Sequence, residues 1–120
     1  MKPASIKAKG RNAENLFVEF LRSRWPMAER RRLNGSYDRG DVSGIPRTVI
    51  EVKSGAKIDL PGWMRELEVE IANDGAEFGC VAIKPRGVTD GAEFYCVLSG
   101  ERFAVLLELA LAAKNNPKEI

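Results

Sequence analysis

The chain has 120 residues, 44% of them apolar and 30% charged, a balance typical of one globular domain spanning residues 1–120. The longest nearly apolar run, residues 103–113, is too short to cross a bilayer, and the N-terminus lacks the apolar stretch of a secretory signal. No histidine and two cysteines exclude imidazole catalysis and four-ligand zinc sites. We therefore expect a cytoplasmic protein with reduced thiols and no membrane partner.

The net charge of +2 conceals an uneven distribution along the chain. Residues 1–57 hold 13 Lys/Arg and 6 Asp/Glu, a net of +7, whereas residues 58–120 hold 6 and 11, a net of −5. Basic charge concentrated in one half suits phosphate binding, because a cation at a phosphate releases condensed counterions. A solvated basic face explains the same clustering equally well.

Hydrophobic periodicity and turn residues predict eight elements. The first helix rests on apolar residues at helical spacing, and the strand at 48–53 rests on its β-branched run. In chain order we predict a helix over 10–24, a basic edge strand over 27–33, a loop over 34–40, a short strand over 41–43, a turn over 44–47, a strand over 48–53, a helix from 61 to 74, strands over 78–84 and 94–98, and a helix over 101–114. The order α-β-β-β-α-β-β-α predicts an α/β domain with a central mixed sheet flanked by helices.

The strand at 48–53 carries the polar residues that indicate a site. Strand side chains alternate, so Glu51 and Lys53 share one face, and burying them on an apolar strand requires a partner or a role. Asp41 lies ten residues earlier, across a turn short enough to bring it beside Glu51. Two converging carboxylates suit Mg²⁺ or Mn²⁺, and an adjacent ammonium can hold a water or stabilise charge on a phosphate. The alternative is a Glu51–Lys53 pair on a solvent-facing strand.

Four short segments resemble known nucleases. The site residues stand as RGD at 39–41 and EVK at 51–53, which resembles the motif of the PD-(D/E)XK nuclease superfamily. KGRNAE at 9–14 is similar to the start of archaeal-type Holliday junction resolvases, and LPGWMRELEVE at 60–70 is similar to resolvase-like proteins of actinobacterial phages. Glycine stands at position 40, where the motif often has proline, and Asn15 stands where many archaeal resolvases have arginine.

The resemblance implies a restriction-endonuclease-like fold and assigns roles to the site residues. Asp41 and Glu51 would ligate Mg²⁺, or Mn²⁺ as a substitute, with the backbone carbonyl of Val52 as a further ligand. Lys53 would orient the attacking water. Glu14, on the shoulder of the first helix, would complete the acidic cluster directly or through water; its alternative is an ordinary exposed helix glutamate.

The resemblance also implies that the basic half binds DNA. The densest basic run, at 30–32, would follow the phosphate backbone, or would serve as a charged edge strand that resists aggregation. Loop residues before Asp41, Tyr37 among them, either touch DNA or form the turn. The predicted DNA-binding residues are Lys7, Lys9, Arg11, Arg30, Arg31, Arg32, Ser36 and Arg39.

Three further residues have two interpretations each. Trp63 stacks on a base or packs in the core or in an interface, and Glu70 reaches the metal cluster or lies on a solvated helix face. Lys84 contacts a phosphate or simply ends a strand. Cys80 and Cys96 are most simply small apolar residues on neighbouring strands.

The predicted function is a metal-dependent, structure-selective DNA endonuclease, most similar to a Holliday junction resolvase acting in the cytoplasm of a bacterium or a phage-infected host. Paired symmetric nicks call for a homodimer, with residues 103–113 as the contact unless they pack in the core. The alternatives are another PD-(D/E)XK nuclease, cutting flaps, mismatches or duplexes, and a non-catalytic DNA-binding module.

Overall fold

The helices and strands of the chain follow one another in the predicted order. The computed structural model describes residues 3–31, 39–55 and 57–115, with side chains from residue 8 onward. The elements are α1 (Pro3–Leu21), β1 (Glu29–Arg30), β2 (Val42–Ser43), β3 (Thr48–Lys53), α2 (Leu60–Asp74), β4 (Phe78–Ile83), a 3₁₀ turn (Gly91–Glu93), β5 (Tyr95–Val97) and α3 (Gly100–Lys114).

The α/β class is confirmed, and the differences lie at element boundaries. Helix α1 begins at Pro3 rather than at residue 10, and β1 is two residues long. Proline at the start of α1 and alanine after it are compatible with a helix, although residues 3–9 carry no apolar stripe. Residues 32–38, where the predicted edge strand ends and the predicted loop runs, lie outside the described residues.

The sheet is built around β3. Strand β3 is connected by helix α2 to β4, with which it pairs in parallel, and β4 pairs antiparallel with β5. Strands β1 and β2 form a separate antiparallel pair. The backbone N–H of Asp41 donates to the carbonyl of Ile50 at 2.9 Å, so the chain leading into β2 runs along the free edge of β3. Strand β3 therefore lies between β4 and the segment that carries Asp41.

Helices cover both faces of the sheet. On one face α1 buries Ala13, Phe17 and Leu21 against Ile50 and Val52 and their neighbours. On the other face, Leu67 and Ile71 of α2 pack against Val49 and Val81 of the sheet in a second buried cluster. Alternate residues of β3 thus belong to different cores, as strand geometry requires.

Helix α2 has a defined start and end. The Asp59 carboxylate accepts a hydrogen bond from the backbone N–H of Gly62 at 3.1 Å, which caps the first turn. Gly75 ends the helix in the left-handed conformation, at φ 66°, and its N–H is directed at the carbonyls of Ile71 and Ala72. These caps determine where α2 begins and ends.

Helix α3 is attached at its first turn and exposed along its length. Ser99 caps it, and the Arg102 guanidinium bonds both carboxylate oxygens of Glu68 on α2, at 2.7 and 2.8 Å. No residue of α3 is buried, and Phe103 is 57% exposed. Packing among the residues that the structure describes therefore does not account for the apolar surface of α3. In the described part of the chain no helix is long and apolar enough to cross a membrane.

The sheet–α2 core provides a test of the fold. Leu67 is fully buried, whereas Val69, two residues along α2, is 60% exposed. Leu67→Ala should lower the free energy of unfolding by about 2–5 kcal/mol, because it removes buried methyl groups and leaves a cavity. Val69→Ala, the control, should change it by about 0.5 kcal/mol or less. Urea unfolding followed by circular dichroism measures both, and equal losses would contradict this assignment of the core.

Candidate metal centre

The backbone conformation at Gly40 brings Asp41 to the edge of β3. Gly40 has φ +93°, and a side chain there would meet Val49 Cγ1 at 2.8 Å and the Ile50 carbonyl at 3.1 Å. Proline, whose ring fixes φ near −65°, cannot adopt this conformation. The glycine is therefore required by the close approach of the two chain segments.

The Asp41 side chain bonds to the backbone of β3. Its Oδ2 accepts a hydrogen bond of 2.7 Å from the backbone N–H of Val52. The N–H and C=O of one residue in a strand point to the same edge, so the Val52 carbonyl also faces Asp41. The predicted ligand set of Asp41, Glu51 and the Val52 carbonyl is thus gathered at one edge of one strand.

Glu51 and Lys53 lie on the α2 side of β3. Glu51 is 7% exposed, so a pair on a solvent-facing strand is the wrong interpretation. The Lys53 ammonium lies 3.4 Å from Glu51 Oε1 and 3.2 Å from Glu66 Oε2. Burial lowers the pKa of Lys53, but the two carboxylates more than offset this, and the pKa is raised overall. The raised pKa favours the charged ammonium form of Lys53.

Glu14 faces the cluster from α1. Its side chain is 21% exposed, which makes the alternative of an ordinary exposed glutamate wrong. Burial raises the pKa of Glu14, and the Glu51 carboxylate raises it further, while Arg30 and a hydrogen bond with Asp41 act in the opposite direction. The Arg30 Nε lies 3.6 Å from Glu14 Oε1. Glu14 on α1 therefore interacts electrostatically with Glu51 on β3 and with Asp41.

The donors at this edge fit a hard divalent cation. All are oxygens, two from carboxylates and one from a backbone carbonyl, as Mg²⁺ prefers. Within the described residues no group of three or more Asp, Glu, Cys or His side chains is arranged to hold a metal ion. The predicted set needs only two such side chains, and Mg²⁺ commonly completes its shell with waters and substrate phosphate oxygens.

The predicted DNA-binding residues fall into separate positions. Lys9 and Arg11 are exposed on α1, and Arg30 pairs with Glu14. Arg31 and Arg39 both approach Asp74 at the end of α2, at 3.9 and 3.8 Å. Arg32, Ser36 and Tyr37, like the side chain of Lys7, lie outside the described residues. The arginines on either side of residues 32–38 therefore both lie near the carboxylate of Asp74.

Helix α2 contributes residues that sequence reasoning missed or misjudged. Glu66 pairs with Lys53, a contact that was not predicted. Trp63 is half-buried, with the Lys53 ammonium 5.6 Å from its ring centre. Glu70 is 2% exposed, so the expectation of a solvated face is wrong. The spacing of Trp63, Glu66 and Glu70 along one helical face was the available signal.

Lys84 and the two cysteines were also predicted from the sequence to have defined positions in the fold. The Lys84 backbone N–H donates to the Lys53 carbonyl at 2.9 Å, so Lys84 extends β4 beside the site. Both cysteines are free; Cys80 is half-buried against the α1 core and Cys96 is exposed. A hydrogen bond from the Cys80 thiol lowers the pKa of Cys96 to about 7. The prediction that the two cysteines lie on neighbouring strands is confirmed, since Cys80 is in β4 and Cys96 in β5.

Comparisons with protein-family models, with curated proteins and with solved structures find no match to this chain. The residues gathered at the edge of β3 are therefore the main indication of function.

The raised pKa of Glu14 predicts how stability depends on pH. An acid whose pKa is higher in the folded than in the unfolded state destabilises the fold as the pH rises through the folded value. Glu14→Gln should therefore raise the midpoint of thermal unfolding at neutral pH, with the gain vanishing near about pH 3, where both states are protonated. Thermal scans at the two pH values measure the effect.

The matched control for Glu14 is Glu19→Gln on the same helix. Glu19 is 77% exposed and pairs with Arg22 at the surface. Its replacement should leave the midpoint nearly unchanged at both pH values. A fall in the midpoint for Glu14→Gln at neutral pH would show that its pair with Arg30 outweighs the cost of burial.

Proposed function

We propose that the chain is a metal-dependent DNA endonuclease of the PD-(D/E)XK type with a restriction-endonuclease-like fold, most similar to a Holliday junction resolvase. The observation that carries this proposal is the 2.7 Å hydrogen bond from Val52 N–H to Asp41, which joins the RGD and EVK segments at one sheet edge. Burial of Glu51 beside Lys53 supports it, because a buried carboxylate is costly unless it is partnered.

The residues divide the work of phosphodiester hydrolysis. Asp41, Glu51 and the Val52 carbonyl hold Mg²⁺, which when bound lowers the pKa of water and offsets charge on the scissile phosphate. Lys53, protonated at neutral pH, orients the water and stabilises the developing negative charge as a hydrogen-bond donor. Glu14 adds negative charge on the α1 side and attracts Arg30 to the cluster.

The DNA lies over the basic half of the chain in this proposal. Arg30 is close enough to Glu14 to meet a phosphate at the site, while Lys9 and Arg11 on α1 extend the basic surface. Arg39 is half-exposed even though it approaches Asp74, so part of its guanidinium is available to a phosphate. Arg31 is only 19% exposed and approaches Asp74, so less of its side chain is available to a phosphate than that of Arg39.

A second copy of the chain provides the second active site that paired nicking needs. Helix α3 supports a dimer because it is apolar on several sides yet has no buried residue, and such helices are normally covered. Between Phe103 and Leu111 its one charged residue is Glu108, so two copies can meet there with little repulsion. A two-fold arrangement covers the same surface on both protomers.

Two other functions use the same residues differently. A nuclease that cuts flaps, mismatches or duplexes would need the same metal centre but no coupled nicks. A non-catalytic module would bind DNA through the basic half and never cleave it. Side-by-side assays on four-way, flap and linear DNA, with and without Mg²⁺, separate the three. Paired cuts in the four-way junction alone favour the resolvase.

Removing one negative charge at the site should slow cleavage strongly without unfolding the protein. Asp41→Asn keeps an oxygen for the Val52 N–H, and Glu51→Gln is nearly isosteric. Each variant should cleave about 10²–10³-fold more slowly, because a metal ligand is lost. DNA binding should persist or tighten as repulsion of phosphate falls. The exposed control Glu101→Gln should cleave normally, and full cleavage by either site variant with saturating Mg²⁺ would remove it from the mechanism.

Mixed dimers test whether two copies act on one junction. Wild type mixed with Glu51→Gln protein should form heterodimers that nick one strand, leaving nicked junctions instead of paired linear duplexes. A monomeric nuclease would merely be diluted, with the same products formed more slowly.

The α3 contact has its own test. Leu107→Glu places charge on an apolar helix surface that is already solvent-exposed in the single chain, so it should weaken the dimer without lowering the stability of the monomer. Glu108→Gln, its neighbour, is the control. Sedimentation reports the association state. A wild-type monomer that still produced paired, symmetric cuts would overturn the dimer proposal.

A further inference from the structure

Lys53 is held on three sides by residues of two elements. Its ammonium contacts Glu51 on its own strand, Glu66 on α2 at 3.2 Å, and the ring of Trp63, also on α2, at 5.6 Å from the centre. The Lys53 side chain is 22% exposed, so the lysine is partly buried, although its contact with Glu66 lies at the surface. Trp63 and Glu66 are three residues apart and therefore lie on the same face of the helix.

The two carboxylates around Lys53 are not equivalent. Glu51 is buried at the metal-ligating edge, whereas the Glu66 side chain is 55% exposed and lies on the helix side of the ammonium. Without Glu66, the remaining carboxylate partner described for Lys53 would be Glu51. A lysine that moves toward Glu51 competes with a cation for the same oxygens.

We propose that Glu66 is a positioning residue: together with the Trp63 ring it draws the Lys53 ammonium toward α2, so that Lys53 is shared between two carboxylates and does not close further on the Glu51 oxygens, from which it lies 3.4 Å away. This inference depends on the proposed nuclease function for its catalytic consequence, while the contact itself can be tested without catalysis. Trp63 is engaged by Lys53 on one side and acts as part of this support rather than as a platform for a base.

The role of Glu66 predicts a particular kinetic pattern. Glu66→Ala should lower kcat by about 10–100-fold, as expected for a displaced catalytic group, with KM for the junction within about two-fold. The Mg²⁺ concentration for half-maximal rate should rise, because Lys53 then competes for Glu51. Glu66→Gln keeps an oxygen that can accept from the ammonium, and should recover much of the rate.

A double-mutant cycle identifies the residue through which Glu66 acts. If Glu66 works by holding Lys53, then Glu66→Ala should have no further effect on kcat in a Lys53→Met background. Glu19→Ala, which removes the same charge from an exposed position on α1, should leave kcat and the Mg²⁺ requirement unchanged. An equal loss from Glu66→Ala in both backgrounds would overturn the inference.

Tryptophan fluorescence tests the contact independently of cleavage. The chain has two tryptophans, so in a Trp25→Phe background the emission comes from Trp63. Glu66→Ala should change that emission, since the ammonium leaves the ring, and Glu19→Ala should not. An unchanged spectrum would overturn the inference. Absence of cleavage by the wild-type protein would instead overturn the proposed function, with the fluorescence change still reporting on the Glu66–Lys53 contact.

Discussion

The hydrogen bond between the Asp41 carboxylate and the Val52 N–H is the interaction on which the arrangement depends. Strand β3 pairs with β4 on one edge; on the other, Asp41 supplies both a backbone N–H to Ile50 and a side-chain acceptor to Val52. A charged acceptor strengthens such a bond. The same contact therefore completes the sheet and fixes the acidic residue beside Glu51, so that the edge cannot shift without moving the site.

Helix α2 carries both residues of the hydrophobic core and residues that contact the candidate site. Its Leu67 and Ile71 form the core against Val49 and Val81, while Trp63 and Glu66 reach Lys53. Because the two sets are interleaved along one helix, the packing of the core determines where Glu66 lies. In the opposite direction, partial burial of Glu14, with a smaller effect of the nearby Glu51 carboxylate, raises the pKa of Glu14, and ionising this residue therefore costs stability.

Much of the fold followed from the sequence, and the contacts between elements did not. The β-branched run of β3 and the Pro61 and Gly75 signals of α2 located those elements closely, because they depend on local geometry. The RGD and EVK spacing brought Asp41 to Glu51. The Glu66–Lys53 contact was missed because it spans 13 residues and depends on how α2 crosses the sheet. Periodicity likewise identified α3 as apolar but could not reveal whether anything covers it.

The position of Asp74 affects how the sequence between Arg31 and Arg39 can change during evolution. Arg31 and Arg39 bracket residues 32–38, and both approach the one carboxylate of Asp74. Closing a loop becomes only slowly more costly as it lengthens, by about 0.6 kcal/mol for each doubling. Insertions or replacements between the two arginines can therefore accumulate with little displacement of Gly40 and Asp41. The sequence of residues 32–38 can therefore change while the carboxylates at the edge of β3 stay in place.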